Sequence, residues 1–210
     1  RARLDQLFDT WYAVSARNRT LTAYYDMKTA LKDLGISIPE NLLSVNCVVG
    51  WCKKAVDARA VRSSFDGFVF QGFEDEGLDR LVRANRMRSL YKQACKSALT
   101  HGLAAFTVMR GGPGQPAAVV RAYSANQFTC LWDKDARRVS CGVVCNEVDE
   151  RGVAIRYTAH FPDAVLTLER GADQRWACIE EQNPMGRPLM EVIVNDPDLD
   201  RPLGHSLITP

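Results

Sequence analysis

Residues 24–68 read YYDMKTALKDLGISIPENLLSVNCVVGWCKKAVDARAVRSSFDGF. The pattern is typical of a helix, a short break, a second helix, and a turn that leads into a strand. Gly35 after Leu34 favours a helix end, because glycine tolerates the left-handed conformation at a helix C-terminus. Pro39 can open the next helix, since its φ is already close to the helical value. The stretch therefore predicts a packing unit and contains no catalytic motif.

The second helix of this unit carries an apolar stripe. Apolar side chains recur there at three- and four-residue steps, which places them on one side of a helix. They are Val45, Val48, Val49, Cys52, Val56 and Ala60. Asp66 and Gly67 then indicate a turn before a first strand at 68–70.

Helices are also predicted on both sides of this unit. Residues 4–18 carry a helical apolar stripe, and residues 20–34 continue it, with Thr20 suited to the N-cap of the second of these helices. The longest helix is predicted over 78–101, with Gly102 as its natural stop. One arc of it is apolar, and a separate basic stripe runs along it at four-residue spacing. The arc comprises Met87, Leu90, Tyr91, Ala94 and Ala98, and the stripe comprises Arg88, Lys92 and Lys96.

The second half of the chain is predicted to be strands. Short apolar runs alternate there with turn residues, which favours antiparallel meanders. The runs are 103–109, 118–123, 128–132, 139–147, 153–161, 164–169, 176–180 and 189–194. Because helices come first and strands follow, we predict an α+β fold, with residues 1–102 mostly helical and residues 103–210 mostly β.

The composition is that of an ordinary globular chain. Its 210 residues are 46% hydrophobic and 25% charged, and the formal net charge is +2, too balanced to indicate a nucleic-acid binder. Residues 1–102 carry 16 basic and 11 acidic side chains (+5), and residues 103–210 carry 11 and 14 (−3). This asymmetry could orient partners, but it is modest, and solvated faces are the favoured interpretation. No apolar run approaches the roughly 20 residues that span a bilayer.

The seven cysteines favour a reducing compartment, because the count is odd and the spacing is not that of a compact disulfide framework. Cys141 and Cys145 form one loose pair with no second pair nearby, which does not fit a zinc site. Cys130 and Cys178 lie elsewhere in the chain. We therefore interpret the cysteines as core or interface residues and predict no metal site.

The other reactive residues are scattered along the sequence. Residues 111–114 read GGPG but lack the Lys-Ser/Thr and helix of a phosphate-binding loop, so they predict a hairpin loop. His101, at the end of the long helix, suits a partly positive imidazole, and no local motif pairs His160 or His205 with a nucleophile. The acidic pairs are Glu180 with Glu181 and Asp198 with Asp200. Adjacent carboxylates on a strand point to opposite faces, which is poor geometry for shared acid–base work. We expect no catalytic or cofactor-binding residues and no cofactor.

Four stretches, taken together and in order, resemble the N-terminal part of siphophage-type portal proteins of tailed bacteriophages. The first combines Tyr24-Tyr25, Leu31, Leu34-Gly35 and Pro39, and the second combines Val49-Gly50-Trp51, Ala55-Val56-Asp57-Ala58-Arg59 and Asp66-Gly67-Phe68. The third combines Ala84-Asn85-Arg86-Met87 with Ala98-Leu99 and His101-Gly102, and the fourth combines Gly186, Pro188-Leu189, 192–195, Gly204, Ser206 and Ile208. Cys52-Lys53-Lys54 departs from the apolar or proline residues that are common in the family.

The resemblance implies a structural part of the virion and no enzymatic activity. Portal proteins form a ring, usually of twelve subunits, at one capsid vertex, and double-stranded DNA passes through its channel during packaging and ejection. The terminase docks on the ring first, and head-completion and tail proteins dock later; capsid or scaffold protein surrounds it. The chain would then be the outer wing of a subunit, a fragment without the stem, clip and crown. Assembly would take place in the bacterial host cytoplasm, without a membrane.

Two other functions remain open on the sequence alone. An intracellular enzyme domain could assemble a Cys/His or carboxylate site in three dimensions, and it would show a pocket with strongly shifted pKa values. A nucleic-acid-binding module could use the stripe of Arg88, Lys92 and Lys96 on phosphates, although Tyr91 beside it lies on the apolar arc.

Overall fold

The computed structural model describes residues 2–28, 50–69 and 76–208. These residues form four helices: α1 (Ala2–Tyr25), α2 (Trp51–Ala60), α3 (Glu76–Ala84) and α4 (Met87–His101). Eight strands follow in the described part: β1 (Leu103–Arg110), β2 (Ala118–Ser124), β3 (Phe128–Asp133), β4 (Arg138–Val148), β5 (Ala154–His160), β6 (Ala164–Arg170), β7 (Trp176–Gln182) and β8 (Met190–Val194). The α+β prediction is confirmed, and the eight strands predicted after residue 102 are present with ends within two residues.

The strands form two antiparallel sheets. The smaller sheet has the order β2-β1-β8, so the last strand returns to pair with the first. The larger sheet is the meander β3-β4-β5-β6-β7. Helix α4 packs on the outer face of the smaller sheet, where Ala94 and Ala98 meet Ala104 together with the partly buried Phe106 and Ile193. Alanines at this contact let the helix lie close to the strands.

The inner faces of the two sheets share one core. Alternate residues of β1 and β8, such as Ala105 and Met190, face alternate residues of β3 and β4, such as Phe128 and Val144. A bulge in β4 lets Val139 face the same core, because the pairing with β3 steps from Leu131↔Cys141 to Trp132↔Val139. An extra residue reverses the side to which a strand's side chains point.

The outer face of the larger sheet is covered by the first half of α1. Leu7 is fully buried there against Cys141 and Val143. Tyr157 adds edge-to-face ring contacts with Phe8 and Trp11, at centroid distances of 5.2 and 5.8 Å. The second half of α1 packs Leu21 against Val56 of α2 and Ile208 near the chain end. The resulting order is α4, smaller sheet, larger sheet, α1.

The prediction of two helices over 4–18 and 20–34 is wrong within the described residues. Helix α1 is continuous through Thr20, whose hydroxyl donates to the Ala16 carbonyl 3.1 Å away instead of capping a new helix. The helix ends at Tyr25, and Met27 has a positive φ of 59°. Residues 29–34, with Leu34-Gly35 and Pro39 beyond them, lie outside the described residues.

The single long helix predicted over 78–101 is also wrong, because two helices occupy that range. They are separated at Asn85 and Arg86, and Arg86 has a left-handed φ of 50°. The predicted apolar arc of α4 does face the protein, since Ala94 and Ala98 are buried and Tyr91 is half-buried.

Residues 68 and 69 do not form the predicted strand. Phe68 is 53% exposed and Val69 is 98% exposed, and neither pairs with a strand in the described part of the chain. Cys52, Val56 and Ala60 do form the inner side of α2, as the apolar stripe predicted, whereas Val45, Val48 and Val49 lie outside the described residues.

Candidate functional site

A cleft of about 560 Å³ opens between the two sheets. One wall comes from β1 and β2 and the other from β4, β5 and β6. The cleft adjoins the inter-sheet apolar core, which includes Val139 and Val144 of β4. The lining is mostly polar and includes Arg110, Arg121, Tyr123, Asn146, Arg156 and His160.

A hydrogen-bonded chain joins the two walls. The Thr158 hydroxyl donates to Asn146 Oδ1 (2.7 Å), and Asn146 Nδ2 donates to the Tyr123 hydroxyl (2.9 Å). Asn146 is the extra residue of a second bulge in β4, because the pairing with β5 steps from Cys145↔Tyr157 to Glu147↔Arg156. The Tyr123 oxygen accepts in this chain, so its own proton remains available to a further acceptor.

Charged side chains line the open end of the cleft. Arg156 lies opposite Glu147 on β4 and Glu169 on β6 in the strand register. Its guanidinium contacts Glu147 at 3.1 Å and Glu169 at 2.8 Å. All three side chains are nearly half exposed, so solvent screens these pairs and they contribute little to stability. They do hold Arg156 in one place across three strands.

His160 lies at the closed end of the cleft on β5, between Gly142 and Val165 of the neighbouring strands. Its side chain is 1% exposed, and its Nδ1 has no hydrogen-bond partner among the described residues. Burial lowers the pKa of His160 from 6.5 to about 4, because the charged form loses its hydration. The imidazole is therefore neutral at pH 7.

The cysteines named in the sequence analysis lie in different surroundings. Cys130 faces the inter-sheet core and Cys141 faces α1, while Cys145 is half-buried and Cys178 is exposed. Burial raises the pKa of the Cys130 thiol to about 12, which leaves it protonated and unreactive. No group of three metal-ligating side chains occurs in the described ranges.

His101 differs from the positive imidazole predicted for it. It is buried at the α1–α4 contact, where its Nε2 lies 2.9 Å from the Thr22 hydroxyl and its Nδ1 lies 3.3 Å from the Ser97 hydroxyl. Burial lowers the pKa of His101. Desolvation therefore outweighs the favourable position at the helix C-terminus, and His101 acts as a neutral hydrogen-bonding residue between α1 and α4.

His205 forms an exposed pair with Asp198, with Nε2 and Oδ2 2.6 Å apart. The hydrogen bond from His205 is the main reason why the pKa of Asp198 is lowered. Arg201 lies 3.2 Å from His205 Nδ1. This cluster orders the loop before the chain end, and Asp200 contributes a backbone hydrogen bond to the Asp198 carboxylate.

The basic stripe of α4 is exposed, and one of its members forms an ion pair. Lys96 Nζ lies 2.9 Å from Asp57 of α2, and the Tyr25 hydroxyl donates to the same carboxylate at 3.0 Å. The hydrogen bond from Lys96 lowers the pKa of Asp57 more than any other contact. Lys96 thus joins α4 to α2 and α1, which leaves Arg88 and Lys92 as the solvated part of the stripe.

Arginines gather at the N-terminus of α4. Arg83, Arg86 and Arg88 line an open hollow of about 610 Å³ together with Asp66 and Asp79. The two carboxylates offset part of the positive charge. The sequence did not predict this cluster, since it arises from the break between α3 and α4.

Two further predictions concern loops and acidic pairs. Gly111 and its neighbours close the β1–β2 hairpin, with the Gly111 amide donating to the Ala117 carbonyl. The hairpin loop predicted there is confirmed. Glu180 and Glu181 are successive exposed residues of β7 and point to opposite sides of the sheet.

Several residues that carry the portal resemblance have structural contacts. Asn85 Nδ2 donates to the Leu81 and Ala118 carbonyls, and its Oδ1 accepts from the Val120 amide at 2.8 Å. Asn85 thereby ends α3 and fixes it to β2.

Other residues that carry the resemblance pack the segment before the chain end against the α4–β1 turn. Gly102 has a φ of 105° and approaches the backbone of Gly204, whose φ is 77°. The Ser206 hydroxyl donates to the Thr100 carbonyl and accepts from the Ile208 amide. These motif residues therefore shape the framework.

No family model matches this chain, and a comparison with curated proteins found no match. Among the described helices, none combines the length and the apolar character that a membrane crossing requires.

Proposed function

We propose that this chain is a structural subunit of a phage portal ring, through which double-stranded DNA is packaged and ejected. The proposal begins with the ordered set of motifs in the sequence. It is supported by the places that several of these motif residues occupy. Asn85, Gly102 and Ser206 hold α3, α4 and the chain end on the smaller sheet. Framework contacts of this kind suit a protein whose role is structural.

The outer strand β7 is the observation that carries the proposal. All seven of its residues are exposed, and in the described part of the chain it pairs with β6 alone. Trp176 is 47% exposed and Ile179 is 54% exposed. An open strand edge with large apolar side chains invites pairing with another chain. A lateral contact with a neighbouring subunit would cover β7 and close its edge.

The charge distribution is compatible with a channel protein. A net charge of +2 gives the chain little excess positive charge with which to hold the phosphates of passing DNA. Lys96 is already paired with Asp57, and Arg156 with two glutamates. In this proposal the terminase, the head-completion and tail proteins, and capsid or scaffold protein contact the assembled ring, in the host cytoplasm and then in the virion.

The decisive experiment is electron microscopy of the intact gene product. Purified protein is mixed under assembly conditions, sized by light scattering, and imaged in negative stain. We expect rings with a central hole and a mass that is a multiple of the subunit mass. A protein that stays monomeric over the whole range of salt and concentration would contradict the proposal.

A further inference from the structure

The buried imidazole in the inter-sheet cleft lacks a partner. A buried polar atom without a hydrogen bond destabilises the folded state, so each case in a folded protein calls for a cause. The His160 side chain is only 1% exposed, and its Nδ1 has no hydrogen-bond partner among the described residues. The side chain lines the cleft. In the tautomer that carries its proton on Nδ1, a bound ligand with a hydrogen-bond acceptor would supply the missing partner.

Tyr123 offers a second donor on the opposite wall. Its oxygen already accepts from Asn146, which is held in turn by Thr158. The hydroxyl group can still donate a hydrogen bond to a ligand. Because the Thr158–Asn146–Tyr123 chain fixes the hydroxyl, the donor is oriented before any ligand arrives.

The charge of the cleft favours an anion. Three arginines and two glutamates line it. Arg156 is bound by both glutamates, whereas Arg110 and Arg121 form no ion pair in the described part of the structure. Arg121 lies opposite Thr107 in the strand register, so both face the larger sheet. Its planar guanidinium can hold two oxygens of one ligand at once.

We propose that the inter-sheet cleft binds a small oxyanion, a carboxylate or phosphoryl group, through His160, Tyr123 and Arg121. The volume of about 560 Å³ is in the range of small-molecule sites, so the ligand is larger than the bare anion. The remainder of the ligand would contact the Met109 and Val119 side chains, which also line the cleft. This inference does not depend on ring formation.

The test uses the ring nitrogens of His160 as the reporter. The ¹⁵N-labelled protein is titrated with inorganic phosphate and, separately, with acetate, in a buffer that contains neither. We expect a saturable shift of the His160 nitrogens at millimolar anion, because a bound anion approaches the imidazole and raises its pKa. A response to phosphate alone assigns a phosphoryl group to the ligand, and a response to acetate assigns a carboxylate.

Two matched variants distinguish anion binding in the cleft from a general effect of removing one positive charge. Arg121→Gln should weaken the anion affinity by about tenfold or more, the loss of one charge-assisted hydrogen bond. Arg62→Gln removes the same charge from an exposed turn after α2 and should leave the affinity unchanged. The proposal is overturned if His160 shows no saturable response to either anion, or if the two variants weaken binding equally.

Discussion

At the scale of single residues, His160 makes folding depend on pH. Its pKa is 6.5 in the unfolded chain and about 4 in the folded protein. Between these values the unfolded chain binds a proton that the folded protein does not, so the free energy of unfolding falls as the pH falls. At pH 5 the loss relative to pH 7.5 is about 2 kcal/mol from this residue.

This loss can be measured by urea denaturation at pH 7.5 and pH 5 in buffer without phosphate or acetate. The variant His160→Gln should lose about 2 kcal/mol less than the wild type over the same interval. His101, whose pKa is also lowered by burial, is present in both proteins and cancels in the comparison. An equal loss in wild type and variant would show that His160 is not a buried neutral base.

Asn85 joins α3 to β2 through its side-chain amide. Replacing it with Ala removes three hydrogen bonds to backbone groups of Leu81, Ala118 and Val120. We expect Asn85→Ala to lower the free energy of unfolding by about 2 kcal/mol. Gln93→Ala, at an exposed position of α4, should change it by less than about 0.5 kcal/mol. Chemical denaturation of both variants checks this, and similar values for the two would contradict the role of Asn85.

At the scale of secondary-structure elements, the break between α3 and α4 places Arg86 in a left-handed conformation. A non-glycine residue with a left-handed φ of 50° costs about 1 kcal/mol, and glycine avoids that cost. Arg86→Gly should therefore raise the free energy of unfolding by about 1 kcal/mol. Lys92→Gly, inside α4, should lower it by about 1 kcal/mol. Thermal denaturation shows whether each variant is more or less stable than the wild type. A destabilised Arg86→Gly would contradict the left-handed conformation at this position.

The crossing of the chain end over the α4–β1 turn depends on Gly204. A Cβ at this position would overlap the Asn195 carbonyl and lie 2.8 Å from the Gly102 carbonyl. Gly114 has the same φ of 77°, and a Cβ there would meet nothing within 4 Å. Gly114→Ala thus measures the backbone cost alone, about 1 kcal/mol.

Gly204→Ala adds the overlap to that backbone cost. Because the overlapping atoms belong to the backbone, they can move only if the turn moves, and we expect a total loss of about 3 kcal/mol or more. The two variants are compared by denaturation under one condition. Equal losses would show that the chain end does not pack on the turn as closely as described.

At the scale of the whole molecule, the portal proposal predicts that β7 mediates assembly. Ile179→Lys places a charge on the exposed strand without disturbing a core, since Ile179 is 54% exposed. We expect the variant to fold normally and to associate at least about tenfold more weakly, measured by light scattering over a concentration series. Val61→Lys, at a 78% exposed position after α2, is the matched control. Equal assembly of both variants and the wild type would exclude β7 from the subunit contact.

The sequence by itself determined the strands and the inner face of α4. Apolar alternation and turn residues are local signals, so runs such as 103–109 and 118–123 could be located without knowing their partners. The hairpin at Gly111 followed from the same kind of signal. The sequence also indicated that reactive residues lie far apart along the chain.

Only the tertiary structure decided where the elements begin and end and where the cleft lies. Helical periodicity continues through Asn85 and Arg86, but the Asn85 side chain is bonded to β2, and that long-range contact ends α3. His160 and Tyr123 are on different sheets, and both line the cleft beside the bulge at Asn146. The physical reason is that periodicity reports which face of an element is buried, whereas a site between two sheets depends on register, bulges and packing between residues distant in sequence.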